Sequence, residues 1–184
     1  MQHYDRSYKK LLSHPEMVVH LLRLIPEKWV GELEWESLQR INPVLQGSRS
    51  QERQADMVWR ILWKGEWLYL LLEFQSTVDP HMPVRLLACT ALQYQEMVRE
   101  GLLSSNSKYP SVLSLVLYTG PRAWKVLLEI REMIGPVPEG MESYVPRHRH
   151  ILLDATRHCS RSGTNRGNLV NALFCLTWIS HGLP

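Results

Sequence analysis

The chain has 184 residues, 45% of them hydrophobic, which is enough to bury one core in a single domain spanning residues 1–184. The formal net charge of +3 is compatible with a polyanionic partner but too small to demonstrate one. The chain opens without a signal-peptide core, no run of about 18 apolar residues occurs, and the three cysteines lack metal-type spacing, so we expect a protein of the reducing cytoplasm with no membrane association.

Hydrophobic periodicity predicts a chain in which helices and strands alternate. In chain order the predicted elements are a helix over residues 8–24, a strand within 29–42, strands over 55–63 and 66–76, a helix over 84–100, a strand over 112–118, a short inner strand over 150–153 and a helix over 168–179. Pro15 interrupts the first helix, which is therefore one helix or two short ones. The polar run 46–54 has the composition of a mobile loop, and residues 124–133 that of a short helix or turn.

The second and third predicted strands are separated by a lysine and a glycine at residues 64–65, which is the length of a tight hairpin loop. A two-residue loop pairs Trp63 with Glu66. Counting outward along both strands then brings Asp56 opposite Glu73, with Cβ atoms roughly 5 Å apart. The hairpin therefore predicts two facing carboxylates at its open end.

A third oxygen donor follows on the same strand face, because Gln75 lies two residues beyond Glu73. Two carboxylates and an amide oxygen suit a hard divalent cation such as Mg²⁺. Opposed like charges destabilise a sheet, and a bound cation would offset that repulsion. The alternative is that Asp56 and Glu73 are ordinary acidic residues at a solvated strand end.

The opposite face of the same hairpin is almost wholly apolar. Trp59 and Trp63 point away from Asp56, among leucines, an isoleucine and a phenylalanine. We therefore expect these tryptophans to belong to the core, where burial stabilises them by about 25 cal/mol per Å². Stacking of nucleic-acid bases on them is the less favoured interpretation.

Four separated motifs follow one another along the chain: His3-Tyr4-Asp5 with Tyr8-Lys9, Arg53 to Trp59, Leu72 to Ser76, and Leu115 to Gly120 before Trp124. In this order they resemble the Rpn family of recombination-promoting nucleases and transposase-like proteins. The resemblance covers most of the chain and rests on the combination, since no single motif is specific. It implies an α/β fold of the PD-(D/E)XK superfamily, with a restriction-endonuclease-like mixed β-sheet flanked by helices.

The resemblance also implies roles for individual residues. Asp56 corresponds to the first metal-binding acid and Glu73 to the second, while Gln75 occupies the position of the lysine in the superfamily motif. This glutamine is a departure, because an amide can position water or offer an oxygen ligand but carries no charge. Asp5 would be an additional acid near the metal; the alternative is that Asp5 caps the N-terminus of the first helix.

The implied activity is hydrolysis of DNA phosphodiester bonds by an endonuclease that depends on Mg²⁺ or Mn²⁺, in the service of DNA recombination or a mobile element. A second interpretation is a catalytically weak or inactive DNA-binding accessory protein derived from a transposase-like element. A third is a protein-interaction module in which the acidic pair is incidental.

Contacts with the DNA phosphates are expected from basic residues near the acids and in the most basic stretch of the chain. The alternative for that stretch is a solvated loop. Members of the family are often longer, so we expect this chain to be shortened at its C-terminus. Such shortening would compromise a C-terminal element that serves specificity or the contact of a homodimer. The predicted phosphate contacts are Arg53, Lys9, Arg147 and Arg149.

Overall fold

The computed structural model describes residues 2–41, 55–103, 108–155, 157–158 and 167–180. The elements that are described throughout are four helices and five strands, with short 3₁₀ helices at Lys28–Glu32 and Ile130–Met133. The elements are α1 Gln2–Leu11, α2 Pro15–Leu22, β1 Leu33–Ile41, β2 Met57–Trp63, β3 Glu66–Gln75, α3 Met82–Arg99, β4 Ser111–Tyr118, β5 Ile151–Asp154 and α4 Leu169–Ser180.

The five strands form one mixed sheet in the order β1-β2-β3-β4-β5. The first three strands pair antiparallel, whereas β3, β4 and β5 are parallel. A parallel pair needs a crossover connection, and α3 supplies the one between β3 and β4. The predicted mixed β-sheet is therefore confirmed, and helices flank it as described next.

Helices cover both faces of this sheet. On one face α1, α2 and α4 bury their apolar side chains against Trp59, Leu72 and Leu117 of the strands. On the other face α3 packs its buried stripe against β2, β3 and β4. Trp59 has no exposed surface and Trp63 is half-buried against the same core, as the sequence predicted. Because side chains alternate along β3, Glu73 faces α3.

The β2–β3 turn has the predicted register. Trp63 pairs with Glu66, and the ladder continues to Met57 opposite Leu72. Both loop residues have positive φ, 53° at Lys64 and 79° at Gly65. Positive φ at both central residues defines the type I′ turn, whose twist matches that of the flanking strands. The ladder therefore brings the next residues outward, Asp56 and Glu73, opposite each other.

The predicted first helix is two short ones, broken before Pro15, which is one of the two alternatives, although α1 already begins at Gln2. β1 lies within the predicted range 29–42, after the 3₁₀ helix Lys28–Glu32, and the range 124–133 contains the short 3₁₀ helix Ile130–Met133. The predicted loop 46–54 lies outside the described residues. The predicted inner strand is wrong in position, because β5 is at the sheet edge. Three consecutive apolar residues suit this edge position as well as a central one, because Leu152 packs on one face of the sheet and Ile151 and Leu153 pack on the other.

Two further observations bear on the expectations from composition. Cys175 is disulfide-bonded, whereas the cysteine count favoured free thiols. An odd number of cysteines does not exclude one bridge, so the count is a weak guide to redox state. Within the described ranges, no helix is both long enough and apolar enough to cross a lipid bilayer.

Candidate active site

Asp56 immediately precedes β2, where the β2–β3 ribbon opens. Its Oδ2 accepts a hydrogen bond from the backbone N–H of Phe74 at 3.0 Å. Its Oδ1 accepts one from Lys9 Nζ, which reaches across from α1 at 2.6 Å. The Asp56 side chain is 26% exposed. One oxygen is therefore held by the neighbouring strand, and the other faces a flexible cation near solvent.

Glu73 is the partner acid, and its side chain is only 2% exposed. Arg85, on α3, donates from Nη2 to Glu73 Oε2 at 3.1 Å and from Nη1 to Asp79 Oδ2 at the same distance. One helical turn further along, Cys89 places its Sγ 3.9 Å from Glu73 Oε1. The first half of α3 therefore covers the Glu73 carboxylate and places the positive charge of Arg85 beside it.

Burial dominates the electrostatics of this carboxylate. It raises the pKa of Glu73 from 4.5 to about 7, and the negative charge of Asp56 adds to the rise. Arg85 and Lys9 lower the pKa, but not enough to cancel the effect of burial. The same burial, with Glu73 beside it, raises the pKa of the Cys89 thiol to about 11. Glu73 is thus poised to change its protonation state near neutral pH.

Gln75 ends β3 on the same face as Glu73. A hydrogen bond between the Gln75 side chain and Glu73 lowers the pKa of the carboxylate. Since a carboxylate only accepts, the amide N–H₂ of Gln75 is the donor, and the amide oxygen stays available to water or a cation. The backbone carbonyl of Gln75 accepts the N–H of Thr119 at 2.8 Å, which fixes the strand end.

The two carboxylates and the neighbouring amide are the predicted ligands of a divalent cation. Among the described residues, no group of three or more His, Cys, Asp and Glu side chains is arranged so that it could hold a metal ion. Mg²⁺ commonly takes only one or two carboxylates and keeps several waters. Asp56 and Glu73 are close enough that the charge of Asp56 shifts the pKa of Glu73. Two coupled carboxylates with an amide beside them fit a partly hydrated hard cation.

Two of the other predicted site residues are Asp5 and Arg53. Asp5 falls inside α1, which begins at Gln2, so the N-cap interpretation is wrong. The role of its carboxylate stays a prediction. Arg53 lies outside the described residues, and so its predicted phosphate contact stays untested.

Arg147 and Arg149 are exposed and belong to the segment leading into β5, two strands from β3. Arg149 forms an isolated bridge with Glu129. It also lines a cavity of about 860 Å³ whose wall includes Trp67 and Tyr109, near the hairpin end of the sheet. Of the predicted basic contacts in the described ranges, Lys9 is the one in contact with the acids.

Sequence reasoning missed two residues of this site, Arg85 and Cys89. Both lie on α3, four residues apart, and so they share the helix face turned toward the sheet. That spacing was the available signal. An arginine on the sheet-facing stripe of a helix needs a buried partner, and Glu73 is that partner.

A mixed sheet flanked by helices, with an acid pair where the central β-ribbon opens, defines the restriction-endonuclease-like class of fold. Within it, the chain belongs to the family described as "Putative transposase, YhgA-like", whose model matches residues 2–175. No curated protein and no solved structure matches the chain significantly.

Proposed function

We propose that the protein is a metal-dependent DNA endonuclease that hydrolyses phosphodiester bonds, acting in DNA recombination or the activity of a mobile element. The observation that carries this proposal is the pairing of a buried carboxylate of raised pKa, Glu73, with the partly exposed Asp56 on one rigid hairpin. Strongly perturbed pKa values are concentrated at functional sites, because catalytic groups need pKa values matched to their task. Membership of a family described as transposases favours DNA as the substrate.

In this proposal Asp56 and Glu73 hold Mg²⁺ or Mn²⁺ between them, with Gln75 adjacent. When bound, such an ion polarises a phosphoryl oxygen and makes water a stronger nucleophile at neutral pH. The Phe74 N–H holds Asp56 in orientation, which limits the reorganisation that the site needs. The hairpin therefore acts as a preformed frame for the two ligands.

Glu73 is the proposed proton acceptor. In the metal-free protein the pKa of Glu73 is about 7. A bound cation would lower this pKa and so favour the carboxylate, which is the form that can accept a proton. In the hydrolysis, a water oxygen bonds to phosphorus and its proton passes to Glu73. The bond from phosphorus to the leaving sugar oxygen breaks, and that oxygen takes a proton from solvent. Gln75 is placed to orient the attacking water.

The test is digestion of supercoiled plasmid with Mg²⁺, with and without chelator. We expect Asp56→Asn and Glu73→Gln each to reduce nicking by at least about 100-fold, because each removes a charged ligand from the site. Glu66→Gln is the matched control, because Glu66 is an exposed acid at the far end of the same strand. Cleavage that survives both site variants would refute the proposal.

A specific observation favours a second candidate, a DNA-binding accessory protein with little or no cleavage. Each acid already contacts a cation of the protein, Asp56 with Lys9 and Glu73 with Arg85, and the uncharged Gln75 adds none. A protein can retain two acids that are neutralised in this way even if it does not cleave DNA. Metal-dependent retention of DNA without nicking, abolished by Asp56→Asn, would select this candidate.

A further inference from the structure

Lys9 differs from an ordinary surface lysine because its ammonium group lies against one of the two acids of the site. Its Nζ lies 2.6 Å from Asp56 Oδ1 and 5.7 Å from the centre of the Phe74 ring. The side chain is 39% exposed, so it also borders solvent at the opening of the site. It thus faces both the acid and the space from which a substrate would approach.

The backbone of α1 at this point is firmly held. Tyr8, the preceding residue, is 4% exposed, and its hydroxyl shares a 2.7 Å hydrogen bond with Thr177 of α4. Its ring also contacts Phe174, with the ring centres 6.1 Å apart. The backbone from which the Lys9 side chain extends is therefore held in place by its neighbour. Lys10, one position on, is exposed on the outer side of the same helix.

The two oxygens of Asp56 differ in how they are bound. The Phe74 backbone N–H fixes Oδ2, and this donor cannot leave without disrupting the strand pair. Lys9 holds Oδ1 through a compact ammonium on a flexible four-carbon stem. A divalent cation approaching Asp56 thus meets Lys9 as its electrostatic competitor, and Lys9 is the partner that can turn away.

We propose that Lys9 exchanges partners during the reaction. In the free protein it neutralises Asp56; when a divalent cation and a phosphodiester are bound, its ammonium turns to the phosphate and balances the extra negative charge of the transition state. This inference rests on the proposed function and assigns to Lys9 a place at the phosphate being cleaved. A contact elsewhere along the DNA backbone would give only sequence-independent affinity.

The experiment compares Lys9→Met, Lys9→Arg and the matched control Lys10→Met, which removes the same charge from the adjacent exposed position. The first measurement is Mn²⁺ affinity by calorimetry without DNA. If Lys9 competes with the cation, Lys9→Met binds Mn²⁺ about two- to fivefold more tightly than wild type, the range expected from losing a partly exposed ion pair. Lys10→Met should match wild type.

The second measurement is the single-turnover rate of plasmid nicking at saturating DNA and Mg²⁺. Lys9→Met should be slower by about 10- to 100-fold, because a charge that acts in the transition state is lost. Lys9→Arg should recover most of that rate, since it keeps the charge and the reach. DNA affinity should fall by the same small factor in Lys9→Met and Lys10→Met.

The outcomes separate this inference from the proposed function. Equal Mn²⁺ affinities in Lys9→Met and Lys10→Met would overturn the inference even if the wild-type protein cleaves DNA. Tighter Mn²⁺ binding by Lys9→Met, in a protein that never cleaves DNA, would refute the endonuclease while leaving the competition at Asp56 in place. An absence of Mn²⁺ binding in all the variants and in wild type would overturn both. Circular dichroism confirms that each variant is folded before it is compared.

Discussion

Arg85 and Glu73 form an ion pair in which the two partners have very different exposure. The Nη2 and Oε2 atoms are 3.1 Å apart, yet the arginine side chain is 40% exposed and the glutamate 2%. Water stabilises most of the arginine charge, whereas the glutamate depends on its protein neighbours. Because burial outweighs the attraction of Arg85, the pKa of Glu73 remains raised to about 7. The site thus contains a carboxylate that is costly to ionise.

That cost predicts a pH-dependent gain in stability for Glu73→Gln. A raised pKa means that the folded protein binds the proton more tightly than the unfolded chain does. The contribution of Glu73 to the free energy of unfolding is therefore complete below about pH 4.5 and is lost as pH rises through about 7. We expect Glu73→Gln to be more stable than wild type by about 1–3 kcal/mol at pH 8 and nearly equal to it at pH 5.

Urea unfolding at both pH values measures this difference, with Glu66→Gln as the exposed control. A Glu73→Gln protein that is less stable than wild type at pH 8 would show that the ionised carboxylate is well accommodated, contrary to its burial.

Arg85→Gln should move the pKa of Glu73 further upward. The Arg85 guanidinium lowers this pKa, whereas burial and the charge of Asp56 raise it. Removing the guanidinium therefore lets the two raising effects act with less opposition. We expect an increase of about half a unit to one unit, which carbon-detected NMR titration of the Glu73 carboxyl group would measure. Arg99→Gln is the control, because Arg99 is an exposed arginine on the same helix that pairs with Glu96. A titration curve unchanged in Arg85→Gln would contradict the assigned electrostatics.

Lys64→Asn should stabilise the fold. Lys64 has a φ of 53°, a region that asparagine tolerates better than lysine, and Asn-Gly is the preferred pair for a type I′ turn. The ion pair between Lys64 and Glu32 is half-exposed and adds little. We expect a gain of about 0.5–1 kcal/mol in the free energy of unfolding. A lower thermal midpoint would argue against this turn geometry.

The Cys89 thiol should react slowly in the native protein. It is buried beside Glu73, and its pKa is raised to about 11, so almost none of it is thiolate at pH 7.5. Iodoacetamide labelling followed by peptide mass spectrometry should show modification of Cys89 only after unfolding in urea. Rapid labelling of the folded protein at pH 7.5 would mean that α3 moves readily away from the sheet and exposes Cys89.

The sequence predicted the ribbon and its acid pair because both depend on local rules. A two-residue loop allows one pairing of the flanking strands, and side-chain alternation then fixes which residues share a face. From those two rules, Asp56, Glu73 and Gln75 follow without knowledge of any other element. The structure confirms the pairing from Trp63–Glu66 to Met57–Leu72, on which that deduction rests.

The surroundings of the acids could not be predicted in the same way. The contact of Lys9 with Asp56 joins residues 47 positions apart and depends on how α1 packs against β3. The contact of Arg85 with Glu73 depends on the rotation of α3 about its axis, which the summed packing of its buried stripe determines. Periodicity identifies a buried stripe but not which sheet residue each of its members meets.

The most direct test of the central claim is a calorimetric titration of wild type, Asp56→Asn and Glu73→Gln with Mn²⁺ at pH 7.5. If the two carboxylates hold one cation jointly, wild type binds Mn²⁺ and either substitution weakens the affinity by about tenfold or more. Retention of wild-type affinity in either variant, or no binding by wild type, would contradict a shared cation site at the open end of the β2–β3 hairpin.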